Sequence, residues 1–573
     1  MSEEKTDYSM EPASAAAETE TAAAESEKTA AAAAADALPE KKKETGVEVK
    51  GDSVARSAMI VMIAMIVSRI LGYLRDVIIY AQIGQNHFTD AYNAAFKIPD
   101  CIYMILVGGA LSAAFIPVIS SYIAKGEKDS IWRFTSVVIN VISCLLLLLV
   151  IIAYIFAPQF IGFYVRGFDA ETLRLTVVLT RIMLLQAVLM AMAGICQGIL
   201  QAYKIFTPTA VGSVLYNVGI IVVGAAFSGL IESHYPGYGI TAFSIGVVAG
   251  AFGNFFVQAV ALRKIGMRYH FSFDVTNEGF RRMVLLMLPV FVSLGAVQLN
   301  LFVNSGLASF LPQGYLSALN TAQRLMQLPV SIFGVSIAMA VFPVLSREAA
   351  LEKHDEFRKD FAYAIRTILF IMFPFSLLLV VLGVPFIRFL YEIGKFTGDN
   401  TEAVAFALYF YAIGIFAYGC IQVLNRAFYA MQDTRRPVIV AVSGVAINLI
   451  LSFVLIRYLQ HGGLALAYSA AGICNMLFLF LLLKRKLGRI GLREILLSAA
   501  KTLIASAAMA AAAYGVSFVS EQILGVASKW AQMVQLFSGG IVGMVVFLIA
   551  AKLLRMPEME TVTGRIKRKL KRS

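Results

Sequence analysis

From about Ser53 to Met556, apolar runs of 20 residues or more follow one another, separated by short polar loops. A helix needs about 20 residues, each rising ~1.5 Å, to cross a hydrocarbon layer ~30 Å thick. Backbone groups left unpaired in lipid are too costly, so each run predicts a helix, and no alternating ten-residue strands of barrel type occur. The pattern predicts about 14 transmembrane helices, starting near residues 55, 89, 133, 172, 207, 239, 283, 315, 366, 402, 437, 463, 495 and 530. The chain is thereby an all-α polytopic membrane protein.

A weak internal repeat organises these spans. "AAFIPVIS" (113–120) recurs as "MAVFPVLS" (339–346), "QAYKIFTPTAV" (201–211) resembles "YAMQDTRRPVIV" (429–440), and "VLYNVGIIV" (214–222) resembles "VAINLILSF" (445–453). The offsets, 226 to about 231 residues, span six helices, an even number, so the two copies run in the same direction. Two parallel six-helix lobes follow, 53–270 and 271–490, with two C-terminal helices over 491–556. Transporters place their substrate between such repeats. Residues 1–52, rich in Ala, Glu, Lys and Thr, lack the apolar content to bury a core and read as a disordered cytoplasmic tail. Residues 557–573 form a basic tail suited to anionic lipid headgroups or to a stop-transfer flank.

Composition excludes several functions. With 59% hydrophobic and 15% charged residues, a soluble enzyme is not expected. The net charge of +13 suggests nucleic acid until its distribution is read. With the N-terminus inside, about twenty Lys and Arg fall in inner loops and about five in outer ones. That asymmetry puts both termini in the cytoplasm and requires no nucleic acid. Cys101, Cys144, Cys196, Cys420 and Cys474 lie inside predicted spans without a CxxC, and no HExxH-like spacing occurs, so neither disulfides, a metal nor a cofactor is expected. No GxxxxGK[ST] loop is present either.

Charges inside the spans carry the chemistry, because intramembrane ionisable groups are expensive. In "SRILGYLRD" (68–76), Arg69 and Asp76 lie two turns apart on one face. Arg69 sits about 18 Å and Arg75 about 27 Å into the helix. An Arg69–Asp76 or Arg75–Asp76 packing pair would neutralise only one arginine. "FTDAYNAAFKIPD" places Asp90 at the outer end of the second span, where it could also cap that helix, with Lys97 seven residues deeper. "LNTAQRLMQLP" puts Arg324 at the repeat equivalent of Lys97, among Asn320, Gln323 and Gln327 and with no carboxylate nearby in sequence. Arg181 is a further candidate, while Arg426 and Lys501 can snorkel. A net cationic cavity suits a phosphate or diphosphate, which guanidinium groups grip in bidentate fashion.

Together "SRILGYLRD", "TDAYNAAFKIPD", "AFIPVIS", "QRLMQLP", "YEIGKFT" and "FYAMQDTRRPV" resemble the MurJ/MviN-type lipid II flippases of the multidrug/oligosaccharidyl-lipid/polysaccharide exporter superfamily. The resemblance covers roughly 53–556. It implies fourteen helices, a V-shaped central cavity and a polyprenyl groove beside the last two helices. It also implies a bacterial cytoplasmic membrane location and lipid II as the substrate, with membrane lipids and the cell-wall synthesis machinery as partners. Arg69, Arg75, Asp90 and Arg324 match positions the family uses in its cavity, and Lys395 matches the "GKFT" motif. The family's association of cation coupling with the second lobe makes Asn304 and Asn448 candidate sodium ligands; protons or the membrane potential are the other drivers. Some members carry arginines where this chain has Tyr103 and Met104, and glutamates at Gly108 and Gln327. The alternatives are a flippase for another lipid-linked glycan (teichoic acid or capsule type), a multidrug antiporter, a membrane glycosyltransferase, or a division scaffold without transport. A cation antiporter would want an acidic cavity, a glycosyltransferase a long outer loop with an acid/base pair, and a scaffold would have no use for buried charges.

Overall fold

The computed structural model describes residues 51–104 and 110–559. Ile60–Ser573 form one compact unit; of the other, Met1–Met59, only the helical residues 51–59 are described. The tails expected over 1–52 and 557–573 therefore lie outside the described residues, except for 51–52 and 557–559, and so does Gly108.

Every regular element among the described residues is helical. The first lobe contains α1 (Gly51–Ile83), α2 (His87–Ala95), α3 (Lys97–Tyr103), α4 (Ala110–Lys125), α5 (Lys128–Ile155), α6 (Ala157–Tyr164), α7 (Ala170–Ala202), α8 (Thr207–His234) and α9 (Thr241–Lys264). The second contains α10 (Glu278–Ala308), α11 (Tyr315–Pro329), α12 (Val335–Ala350), α13 (His354–Val381), α14 (Gly383–Tyr391), α15 (Gly398–Ala412), α16 (Ile415–Ala430) and α17 (Arg435–Leu487). Two more, α18 (Leu492–Leu524) and α19 (Lys529–Leu553), complete the described chain.

Local chemistry sets these boundaries. Asn86, Asp169, Asn277 and Ser528 cap α2, α7, α10 and α19 by accepting from backbone N–H groups of the first turn. Pro329 removes a donor at the end of α11, and the wider π-helical turn Val330–Gly334 joins it to α12. The 53 residues of α17 would span ~80 Å as one helix. Gln460, at φ 48°, breaks the run into two membrane-length halves.

Among the described residues nine helices are long and apolar enough to cross a membrane, or ten with α15 and α16 as one span bent by 45°. The expected count of fourteen is not confirmed by that criterion. It is reached only if α17 is divided at Gln460 and the segments 51–83, 87–125 and 278–308 are also spans. Charges and breaks inside spans are what a count based on apolarity penalises.

Side chains pack in separate clusters. Phe115, Phe134, Leu146 and Ile199 fill the space between α4, α5 and α7, and Phe280 and Met283 from the start of α10 join them. Ile79, Tyr92, Ile220 and Phe243 join α1, α2, α8 and α9. The second lobe packs around Leu319, Phe361, Tyr391 and Phe428. Small residues bring α8 and α9 into backbone contact: a Cβ on Gly219 would lie 2.5 Å from the Cα of Gly250.

Candidate functional site

The central charges come from one helix of each lobe. On α1, the Arg75 guanidinium donates to Oδ1 of Asp76 through Nε (3.1 Å) and Nη2 (2.9 Å). On α11, Nη1 of Arg324 donates to Oδ2 of the same carboxylate. Asp76 is buried, whereas the Arg324 side chain keeps 40% of its surface accessible, so part of its guanidinium stays open to a further partner. Sequence proximity offered Arg324 no carboxylate; its partner lies 248 residues away across the lobe interface. Arg69, exposed, donates to Ser331 Oγ (2.7 Å) just past α11, and the Tyr73 hydroxyl donates to the Arg324 carbonyl (3.3 Å). Two guanidinium groups thus share one carboxylate, leaving the cluster with a net positive charge.

Asp90 plays a different part from its neighbours. Asn86 caps α2, with Thr89 completing the capping box, so Asp90 is not spent on its own helix. Its carboxylate accepts from Gly314 N (2.5 Å), Ser317 N (2.8 Å) and Ser317 Oγ (2.7 Å), capping α11 in the opposite lobe. Around it, Tyr80 bonds Thr321 Oγ1 (2.8 Å), Asn93 donates to Ser317 Oγ (3.0 Å), and Lys395 N donates to Ala81 O (2.9 Å). Gly394, at φ 64°, lets that loop lie on α1. The lobes are bolted together at this end of the bundle, away from the lysine- and arginine-rich loops. Tyr80, Asn93, Ser317 and Thr321 were missed by sequence reasoning, although the uncapped start "LPQGYLS" signals a helix in need of an acceptor.

The other candidates are dispersed. Lys97 lines a cavity of about 30 Å³ with Asn304, Asn320 and Gln323. Asn304 belongs to an amide cluster in which Asn300 and Asn304 donate to Asn448 Oδ1 (3.0 and 2.9 Å), Asn304 donates to Asn300 Oδ1 (2.8 Å), and Ser452 donates to Asn304 Oδ1 (3.1 Å). Every amide oxygen in it already accepts a hydrogen bond. Asn300 and Ser452 were missed, although each lies four residues from a named asparagine on the same helix face. Arg181 is not brought to the cavity: it donates to Tyr154 O (3.2 Å) and lies over the Tyr154 ring on α5. Gln327 is exposed, and the exposed Lys395 side chain borders a separate pocket with Gln82 and Glu232.

Next to Arg324 an apolar groove of about 640 Å³ opens between α11, α13, α14 and α19. Leu325, Leu328, Phe333, Phe375, Phe386 and Phe537 are among its walls. Of the last two helices, α19 contributes to this lining and α18 does not.

Two helical lobes joined through buried charges, with an apolar groove alongside, have the form of a membrane transporter rather than an enzyme. The sequence profile of the lipid II flippase MurJ family matches residues 79–548. A probable lipid II flippase MurJ of Buchnera aphidicola subsp. Acyrthosiphon pisum is 32% identical over 429 residues, 74% of this chain and 82% of that protein. The solved structure of a lipid II flippase MurJ in an inward closed conformation superposes with a TM-score of 0.71 at 28% identity, over 86% of this chain and 98% of that one. An inward-facing multidrug resistance MATE transporter shares the fold, with a TM-score of 0.62 at 14% identity, covering 74% and 95%. The chain belongs to the lipid II flippase MurJ family, and is a multi-pass protein of the bacterial cytoplasmic membrane.

Proposed function

We propose that the protein flips lipid II, the undecaprenyl-diphosphate-linked peptidoglycan precursor, from the inner to the outer leaflet by alternating access. The observation that carries this reading is the Arg75–Asp76–Arg324 cluster, which joins the lobes and keeps Arg324 partly accessible beside a lipid-sized apolar groove. A diphosphate would take the free side of Arg324, with Arg69 and Arg75 adjacent, while the polyprenyl chain lies along the groove that begins one residue later at Leu325.

The asymmetry of charged loops puts the basic end in the cytoplasm, so the Asp90 lock closes the outer side. Release of that lock and rupture of the Asp76–Arg324 bond would be the two structural events of turning outward. A dianionic headgroup moving outward gains ~2.3 kcal/mol per charge per 100 mV, and the emptied cationic cavity returns downhill. The membrane potential, inside negative, thus favours both half-cycles. The amide cluster favours sodium less: it holds no carboxylate, its oxygens are occupied, and Asn304 shares a cavity lining with the Lys97 amine.

The test is translocation of lipid II in proteoliposomes of the full chain, with sodium and potential varied separately. Flipping that persists in choline medium but stops when the potential is collapsed supports the reading. Loss of flipping on sodium removal at constant potential would replace the potential with an ion, and absence of flipping under every condition would refute the function.

A further inference from the structure

The two lobes are joined by residues 265–277, between α9 and α10, and residues 267–274 of that connection take no regular structure. It is nonetheless held in place. Met267 packs on the side chains between α4, α5 and α7. On α5, Ser136 Oγ accepts from His270 N (2.9 Å), and Asn140 both donates to Ser272 O (2.8 Å) and accepts from the Tyr269 hydroxyl (2.6 Å).

These bonds fix how deep the connection lies. The exposed Arg133 is the last charge on α5; the 22 residues from 134 to 155 carry none. They rise ~33 Å, close to the hydrocarbon thickness. Ser136 and Asn140 lie about 5 and 10 Å beyond Arg133 along the same helix. The irregular stretch therefore reaches past the headgroup level to the edge of the acyl region. Backbone without helical bonds is tolerated near lipid only where its polar groups find partners, and the buried Ser136 and Asn140 supply them.

The side chains on its outer surface suit that depth. Phe271 (80% exposed) and Phe273 (45% exposed) flank Ser272, with ring centroids 5.3 Å apart. Cations bracket the pair: Arg263 and Lys264 at the end of α9, Arg268, and Arg281 and Arg282 on α10. The start of α10 is level with Arg133, because Gly279 packs on the Phe134 ring. All five cations are exposed, and among the described residues none forms an ion pair. Against them stand Asp274, bonded to Thr276, and Glu278 in the first turn of α10, so the net charge is positive.

We propose that the connection between the lobes is an inner-leaflet anchor, in which Phe271 and Phe273 enter the acyl region and the flanking cations hold the phosphate of an anionic phospholipid. Apolar rings at this depth with cations at headgroup level are the arrangement by which a segment lies in a membrane surface. A lipid held there touches both lobes, through α9 and α10. The proposal needs neither lipid II nor flipping to be correct.

Two measurements on the full chain test it, with thermal stability followed throughout. In the first, a nitroxide is attached to Phe271→Cys in a cysteine-free background, and to Lys353→Cys as the water-exposed reference. Collisions with oxygen and with a water-soluble nickel chelate give the depth of each in phosphatidylcholine–phosphatidylglycerol nanodiscs. In the second, native mass spectrometry reads phosphatidylglycerol retained relative to phosphatidylcholine. It compares the parent with Arg263→Gln/Arg268→Gln/Arg282→Gln and with a control of equal charge loss on the α17–α18 loop, Lys484→Gln/Arg485→Gln/Arg489→Gln.

The expected label depth at Phe271 is about 5–10 Å inside the phosphate level. Retained phosphatidylglycerol should fall about tenfold or more in the first triple variant and stay near the parent value in the control. The proposal is overturned if the Phe271 label meets nickel as freely as the Lys353 label, which would mark a surface open to a soluble partner. It is equally overturned if the parent shows no preference for phosphatidylglycerol, or if both stably folded triple variants lose it alike, as diffuse attraction to a basic face requires.

Discussion

Replacing Asp76 with asparagine separates a structural ion pair from a working one. Among the described residues Asp76 is the one carboxylate bonded to Arg75 and Arg324, accepting two bonds from the first and one from the second. Unit charges ~4 Å apart attract by ~4 kcal/mol at an effective dielectric of ~20. The Arg324 side chain is 40% accessible, so the share linking the lobes is nearer a single charge-assisted hydrogen bond, about 1.5–3 kcal/mol. Removing it shifts the closed-to-open ratio by roughly ten- to a hundredfold. The same substitution frees Arg324 from its internal competitor. Asp76→Asn should therefore bind undecaprenyl diphosphate about tenfold more tightly while flipping lipid II more slowly, because the return of the empty carrier loses its closing contact. Arg324→Ala should insert normally and lose both binding and flipping; Arg324→Lys, which keeps charge but not the planar fork, should retain part. The assays are ligand titration in nanodiscs, lipid II flipping in proteoliposomes, and spin-label distances between α1 and α11. Asp76→Asn that weakens ligand binding at normal abundance, or leaves binding and lobe distances unchanged, would refute competition between carboxylate and ligand.

Three further outcomes follow from single contacts. Asp90→Ala should cost about 0.5–2 kcal/mol through the lost cap on α11 and raise labelling of cysteines placed inside the outer lock; unchanged melting and labelling would remove Asp90 from the closure. Cysteines at Gln313 and Ala527, in a cysteine-free background, should react with an impermeant thiol reagent added outside, and one at Lys353 should not; reversed labelling would invert the proposed orientation. Burial raises the Asp433 carboxyl, but the Lys486 hydrogen bond, the Arg436 amide and both positive charges outweigh this and hold it below the usual carboxylate range. Its stabilisation of the α16–α17 connection is thus present above that range and lost as pH falls through the lowered value, an acid loss that Asp433→Asn should abolish in thermal melts.

What the sequence made legible follows the range of each interaction. Apolar periodicity is local, and the all-helical class was read from it. Arg69, Arg75 and Arg324 were also legible, because a guanidinium inside a span is anomalous whatever surrounds it. Asp76 and its pairing with Arg75 were visible, but its bond to Arg324 was not: nothing within a few turns of Arg324 announces a carboxylate 248 residues upstream. Asp90 shows the same limit in reverse. "NHFTD" offers two acceptors for one helix start; the structure gives α2 to Asn86 and sends Asp90 across the interface. Arg181 failed by direction, since depth along a helix does not say which face it occupies, and its face meets Tyr154.

These placements give the charges two kinds of work. Asp90 bonds backbone amides at a helix start, and such donors cannot leave without losing the helix end, so this contact makes or breaks as a whole. Asp76 instead bonds two guanidinium groups that a phosphate oxygen can also satisfy, so its contact with Arg324 can be exchanged for ligand without leaving a charge unpaired. A carrier needs both: one closure indifferent to cargo, which keeps the outer side sealed, and one sensitive to it, which lets occupancy bias the change of state. Coupling then arises because the ligand's differential interaction with the two states includes the carboxylate it displaces, which is the only way a ligand can shift such an equilibrium. A cavity with arginines and no Asp76 would bind the same anion but would have no internal contact for it to replace.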